Sequence, residues 1–459
     1  MHSAPPAPSE GAAAPPSSGT GAKPGRRRQL GLLSAAVGAD NGEQNVLVVM
    51  FPAMRAALGL PLSALGTLGA TAKLAGVFFG PLWVSIAQRV PRTYVLAVCS
   101  GLWGVWTIAT GFAQNYTQLV VMTTVVAAGA AGCGPLVAGI VGDLFDDTSR
   151  GRATGFLFAG VALYSGVLGP LLGQLSSFSD GWRYGFFAVG ALQILTGLAL
   201  LRFLRDPGIG AAEPQLAALD PTDRAQRDRA FDRESVRRLM SIRTFPLLCV
   251  HRLLGSQFVL LAFGVVFLVE VRGFSNAAAS LVTLPTAVSY LVGTLAGGVL
   301  ADRMQRRFPR AGRIALLQTT YFLYAALAFV TTQIAWSSLP VYAALFSVLG
   351  ALQGVQPSVN RPLLMSVVPP ELRSSAFALF LAVESLGWAA VTFLVGQLGD
   401  SIGLEGALLW SLVVIILVGA LFASLLYRPY TRDAVALQHE LDRRANHAQK
   451  SPQAAPQEG

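Results

Sequence analysis

The sequence predicts an all-α polytopic membrane protein with twelve transmembrane helices in two pseudo-symmetric six-helix bundles. Three observations carry that prediction. Of 459 residues, 53% are apolar or aromatic and only 13% are charged, about half the charged share of an ordinary soluble chain. With a mean hydropathy of +0.54, too few charges remain to cover a soluble surface. Apolar runs of at least about 20 residues, enough to cross a bilayer as a helix, recur along the chain with short polar breaks. Finally, Lys and Arg gather on alternate breaks, as cytoplasmic loops do.

Taken in order, the runs fall at 30–56, 62–88, 92–114, 117–144, 150–175 and 181–205. Six more follow at 243–269, 275–301, 311–333, 337–366, 371–398 and 403–428. Gly and Pro interrupt many of them, which neighbouring helices tolerate by re-satisfying the freed backbone groups. Residues 1–28, rich in Pro, Ala, Ser and Gly, lack the basic start and apolar core of a signal peptide. They are expected to form a disordered cytoplasmic tail. The N-terminal bundle is placed at 29–205, a polar Arg- and Asp-rich cytoplasmic linker at 206–242, the C-terminal bundle at 243–428 and a second cytoplasmic tail at 429–459.

Loop charges set the orientation. Lys23 and Arg26–Arg28 precede the first run; Arg89 and Arg92, Arg150 and Arg152, Arg303, Arg306, Arg307, Arg310 and Arg313, and Arg373 follow on alternate loops. The opposite loops carry little: Arg55, Asp180, Arg183, Arg272 and Asp400. Both termini and the linker are therefore expected on the cytoplasmic side of a cell inner membrane. The formal charge of +10 is explained by this topology, and no nucleic-acid partner is expected. The three cysteines lie in apolar runs and the four histidines are scattered. Neither a disulfide framework, a metal site nor a cofactor is expected, and no nucleophile–base pattern or phosphate-binding glycine loop points to an enzyme.

An internal repeat supports the two halves. Gln88-Arg89 corresponds to Asp302-Arg303, Gly59-Leu60-Pro61 to Gly273-Phe274-Ser275, and Gly173-Gln174-Leu175 to Gly396-Gln397-Leu398. Matched halves place a binding site between them near mid-membrane.

On these landmarks the chain resembles the major facilitator superfamily. Gly298–Arg303 looks like that family's loop signature between the second and third helix of a half. In the first-half copy, Val84–Arg92, Gln88 stands where an acid is expected. The resemblance implies that this acid latches the cytoplasmic gate, making Gln88, Arg89, Asp302, Arg303, Arg150 and Arg373 gating candidates. Gly160, Gly166, Gly169, Pro170 and Gly173 look like the glycine–proline pattern of antiporters, and Gly181–Tyr184 resembles the usual entry to the sixth helix. Glu43–Leu47, followed by Pro52, is similar in position to the Asp-Arg signature of the spinster-like lipid transporters. Asp143-Leu144-Phe145 with Arg150 also fits them. Glu43 and Gln44 replace the Asp and Arg, and Thr123 and Ala130 occupy the region of an expected arginine and glutamate.

Charged groups at membrane depth mark function because they are expensive there. Asp40–Asn45 interrupts the first run near its middle. Glu43 is the leading proton-coupling candidate, with Asp40 assisting and Glu384 a further acid. Lys73, at a similar depth on the next run, is expected to pair with Glu43, either permanently or as a pair that breaks during transport. Arg361 is expected to hold a substrate anion or close the cytoplasmic gate, while Arg252 and His251 read as snorkelling or loop packing. Asn41, Asn45, Tyr164, Gln257, Tyr290, Gln353 and Gln356 complete a mixed lining, with apolar surface from Phe78, Phe79, Trp83, Phe258 and Trp388. Such a cavity suits an amphipathic substrate. The expected function is a monomeric, proton-coupled secondary transporter of an amphipathic molecule or lysophospholipid. A multidrug or metabolite exporter and a proton-linked importer of a small organic anion are the alternatives. Membrane lipids are the other expected partners.

Overall fold

A computed structural model describes residues 24–145, 147–208, 233–309, 311–369 and 372–450. The described residues form helices joined by short turns: α1 (Pro24–Asp40), α2 (Gly42–Leu58), α3 (Leu62–Ile86), α4 (Arg92–Thr110), α5 (Tyr116–Leu144), α6 (Asp147–Leu175) and α7 (Gly181–Phe203). After α8 (Arg233–Ser241) come α9 (Thr244–Glu270), α10 (Asn276–Arg307), α11 (Gly312–Gln333), α12 (Leu339–Met365), α13 (Arg373–Leu408), α14 (Ile415–Phe422) and α15 (Tyr427–Lys450). Both expected tails, most of the linker and the Arg150 side chain lie wholly or partly outside the described residues.

Among the described residues, ten segments are long and apolar enough to cross a membrane. The difference from the twelve expected has a local cause at each place. The first run breaks at Asn41 into two helices of 17 residues each. Asn41 Nδ2 donates to Val37 O at 2.7 Å and Asn45 Nδ2 to Asn41 O at 2.9 Å, so these amides turn back onto their own helix. At the other end, the helices of 375–440 follow one another without a loop and count as one segment. Inside it Gly403 takes φ 80° and ψ 155°, a left-handed conformation that favours glycine, and turns the chain between α13's apolar body and the segment leading to α14.

The halves join along α3 with α13, α6 with α10, and α2 with α9. Without a hydrophobic drive between helices in lipid, such seams depend on small residues and polar links. A Cβ on Gly66 would come within 3.2 Å of Gly396 Cα, and one on Gly396 within 2.9 Å of Ser63 Cα. Gly173, the repeat counterpart of Gly396, likewise packs against Ser280 of α10. The polar links share this end. Arg55 pairs with Glu270, and Asp400 accepts from the Leu62 and Ser63 N–H groups at 2.8 and 2.9 Å, capping α3.

The apolar core has the same polarity. One large cluster runs across both halves, from Met50, Leu65 and Phe186 to Phe263, Leu349 and Val395. Toward the basic loops the N-terminal half keeps a separate cluster around Leu33, Leu96, Val137, Leu157 and Leu200. The molecule is sealed at the Arg55–Asp400 end, while its cores divide toward the other.

Candidate functional site

The seam holds a small cavity of about 60 Å³, below the range of small-molecule sites, lined by α2, α3, α9 and α13 through Gln44, Leu47, Lys73, Ala262, Trp388 and Thr392 among others. Its polar centre is Lys73. The Nζ atom lies 3.9 Å from the centroid of the Trp388 ring, and Trp388 stacks on Phe258 at 4.5 Å. A desolvated cation over an indole is held by about 2 kcal/mol.

The expected Glu43–Lys73 pair is not formed. Successive residues of a helix diverge by about 100°, and it is Gln44 that faces Lys73. Glu43 turns into the N-terminal half, 3% exposed, with Oε1 lacking a hydrogen-bond partner. Asp40 reaches the Cys133 thiol and lies within electrostatic reach of Glu43. The first helix therefore sends its two acids one way and its glutamine the other.

In the C-terminal half, Glu384 is not isolated. It pairs with Arg252, whose Nη1 donates to Gln356 Oε1 at 3.4 Å. Tyr321 Oη donates to the same oxygen at 3.4 Å, and its ring meets His251 at a tilt of 48°. Arg252 was expected to snorkel or pack at a loop; it is a largely buried cation, about two turns into α9. Its pairing with Glu384, 132 residues away, leaves no signal in local spacing. Tyr290 lies within electrostatic reach of Arg252, Arg361 and Glu384, and Lys73 within reach of Glu384. Direct contacts thus join Arg252, Glu384 and Gln356, while Lys73 lines the cavity and Arg361 is exposed.

Other expected lining residues stand apart. Gln257 is 2% exposed inside the C-terminal half, where its carbonyl accepts from Tyr324 Oη at 3.1 Å. Asn45 reaches Ser165 Oγ at 3.3 Å. Tyr164 packs along Gly38 and Gly42 with its hydroxyl unpartnered. Gln353 is half-buried on α12. Trp83 donates to Ala128 O at 2.7 Å and meets Trp103 edge-on, so it packs helices, and Phe78 is exposed.

Among the gating candidates, Gln88, Arg89, Asp302 and Arg303 are exposed, and Asp302 pairs with Arg313 at 3.6 Å. Arg373 Nε donates to Val368 O at 3.4 Å. Near Gln88, the Arg92 guanidinium bonds Asp143 at 2.6 Å and Asp206 at 2.6 Å. Burial pushes the Asp206 carboxyl up, but Arg92 and the Gly208 N–H outweigh it and hold the group below its ordinary range.

The sequence model of the Major Facilitator Superfamily matches residues 32–337. A protein described as a probable sulfoacetate transporter from Cupriavidus necator is 29% identical over 266 residues, covering 56% of this chain and 61% of that protein. Spinster homolog 1 of Xenopus laevis is 24% identical over 351 residues, covering 71% and 64%. The chain thus spans under two thirds of the length of both relatives. A crystal structure of a bacterial homolog of the human lysosomal transporter Spinster, inward-facing and occupied, aligns with a TM-score of 0.72 at 21% identity, over 90% of this chain and 99% of that one.

Proposed function

Because the chain belongs to the Major Facilitator Superfamily, and is a membrane transporter rather than an enzyme, we propose that it moves an amphipathic small molecule across the cytoplasmic membrane in exchange or symport with protons. The reading takes the two halves as 29–205 and 243–428 joined by the 206–242 linker. It counts twelve spans, with α1 and α2 forming one interrupted span and 375–440 containing two. With the basic loops inside, the sealed Arg55–Asp400 end faces out, and the molecule is inward-facing. Alternating access then requires that seal to open while the cytoplasmic ends close.

The observation that carries proton coupling is Glu43: an acid in the middle of a span, 3% exposed, with an unpartnered oxygen. A bare carboxylate at that depth is expensive, and a proton is the smallest partner that relieves the cost. Asp40 lies close enough to feel the charge of Glu43. The similarity to both a spinster protein and an organic-acid transporter supports a substrate with an apolar body and a polar head. The test is a panel of amphipathic compounds, lysophospholipids included, offered to proteoliposomes under an imposed pH gradient. Uptake or release of at least one compound that collapses with the gradient is expected. Flux indifferent to the gradient contradicts the proton coupling.

A further inference from the structure

Three helices of the N-terminal half each carry a buried oxygen with no hydrogen-bond partner among the described residues: Glu43 Oε1 on α2, Thr107 Oγ1 on α4 and Gln193 Oε1 on α7. The three residues are 3%, 0% and 3% exposed. Buried polar groups without partners are uncommon and costly.

Gln193 fixes where these oxygens meet. Its Nε2 donates to the Ala39 carbonyl at 3.2 Å. A carbonyl only accepts, so the amide cannot be turned over, and Oε1 faces away from Ala39. Oε1 lies 3.2 Å from where a Cβ on Gly104 would stand. Gln193 therefore bridges the turn at Ala39 and the turn at Gly104. Glu43 is one turn beyond Ala39, and Thr107 is one turn beyond Gly104. The helical ladder carries through the Asn41 break, with Asn41 N–H donating to Val37 O and Asn45 N–H to Asn41 O, both at 3.2 Å. The two helices run the same way, since Ser100 Oγ, a turn before Gly104, donates to the carbonyl of Ala36, a turn before Ala39, at 3.2 Å. Helical side chains lean back over the turn that precedes them. Glu43 and Thr107 thus lean toward the Gln193 amide from two sides.

The donor set is a carboxylate, an amide oxygen and a hydroxyl. Hard oxygen donors suit alkali and alkaline-earth cations rather than soft transition metals. One carboxylate balances one positive charge, and a divalent ion would leave charge uncompensated in a dry interior. Asp40, a turn before Glu43, reaches Cys133 instead. The packing favours a small ion. A Cβ on Gly104 would come within 2.6 Å of Gly190 O, and one on Gly42 within 2.7 Å of the Val189 side chain, so the helices have no slack to widen around a larger one.

We propose that Glu43, Thr107 and Gln193 bind a sodium ion inside the N-terminal half. The proposal rests on the transporter reading above and adds a second ion to the acid assigned there to protons.

Radioactive sodium is the probe, offered to the full chain in lipid nanodiscs at one fixed pH with potassium chloride as the balancing salt. Saturable binding that unlabelled sodium displaces and potassium does not is expected. The thermal unfolding midpoint should rise as sodium replaces potassium, because the ion binds the folded chain. Thr107→Val keeps the shape of the side chain, removes one ligand and weakens binding by about tenfold or more. Glu43→Gln removes the charge and abolishes saturable binding; the valine variant keeps the test informative where the glutamine variant does not fold. No saturable binding to the native chain, equal displacement by potassium, or native affinity in either variant overturns the proposal. Flux in proteoliposomes separates it from its premise. Gradient-driven flux without sodium binding defeats the sodium site alone, and sodium binding with no flux of any compound defeats the transporter reading alone.

Discussion

Lys73 Nζ sits 3.9 Å from the centroid of the Trp388 ring, so a cation from the second apolar run rests on an aromatic face from the eleventh. The contact crosses the seam between the halves, beside the Gly66–Gly396 approach. Trp388→Leu removes the π face and is expected to destabilise the folded protein by about 1–2 kcal/mol, with Trp388→Phe losing only part of that. Thermal unfolding of the purified variants reads the difference. Equal losses in Leu and Phe would assign the effect to packing rather than to the cation.

Asp400 caps the start of α3 across the same seam. Losing a capping acceptor costs about 0.5–2 kcal/mol, enough to move a balanced two-state population several-fold. Asp400→Ala should therefore populate the form open at the Arg55 end. Spin labels on Ala57 and Ile402, both exposed, should report a longer distance in the variant. An unchanged distribution would show that the cap does not bias the conformations.

Gly66 permits the closest backbone approach between the halves. A valine there meets Thr392 and Gly396, so Gly66→Val should keep each bundle helical yet prevent the outer seal. Circular dichroism should match the native protein while the Ala57–Ile402 label distance lengthens and substrate counterflow disappears. Retained counterflow would mean that the seam can shift to accept the side chain.

Arg92 holds the end of α5 and the start of the linker together through Asp143 and Asp206. Since the folded state depresses the Asp206 carboxyl, this contact stabilises fully above the ordinary aspartate pKa, about 3.9. Its contribution is lost as pH falls through the lower folded value. Arg92→Gln should cost about 2 kcal/mol at neutral pH and flatten the acid-side fall in stability. Unfolding curves from neutral pH down to about pH 3 check both; an acid limb unchanged by the variant would assign it to other carboxyls.

The fold was legible because its causes are distributed. Long apolar runs, alternating basic loops and a repeated Gly59 and Gly273, which take φ 63° and 76°, each act over many residues or at fixed offsets. The site was legible only as a set of expensive residues. Glu43, Lys73, Glu384 and Arg361 stand out by charge at depth, but which of them meet depends on helix rotation and on partners far away in sequence. Gln44 rather than Glu43 faces Lys73 because of one residue of rotation, and Arg252 finds Glu384 only through the packing of α9 on α13. The Arg92 contacts were hidden for a similar reason, because they span three separate helix ends.

The central claim is that Glu43 couples substrate movement to protons. It is tested most directly by comparing pH-gradient-driven accumulation with gradient-free counterflow for Glu43→Gln in proteoliposomes, using a compound the native protein transports. The account predicts that counterflow persists while gradient-driven accumulation falls to the equilibrium level. Accumulation equal to that of the native protein would contradict it.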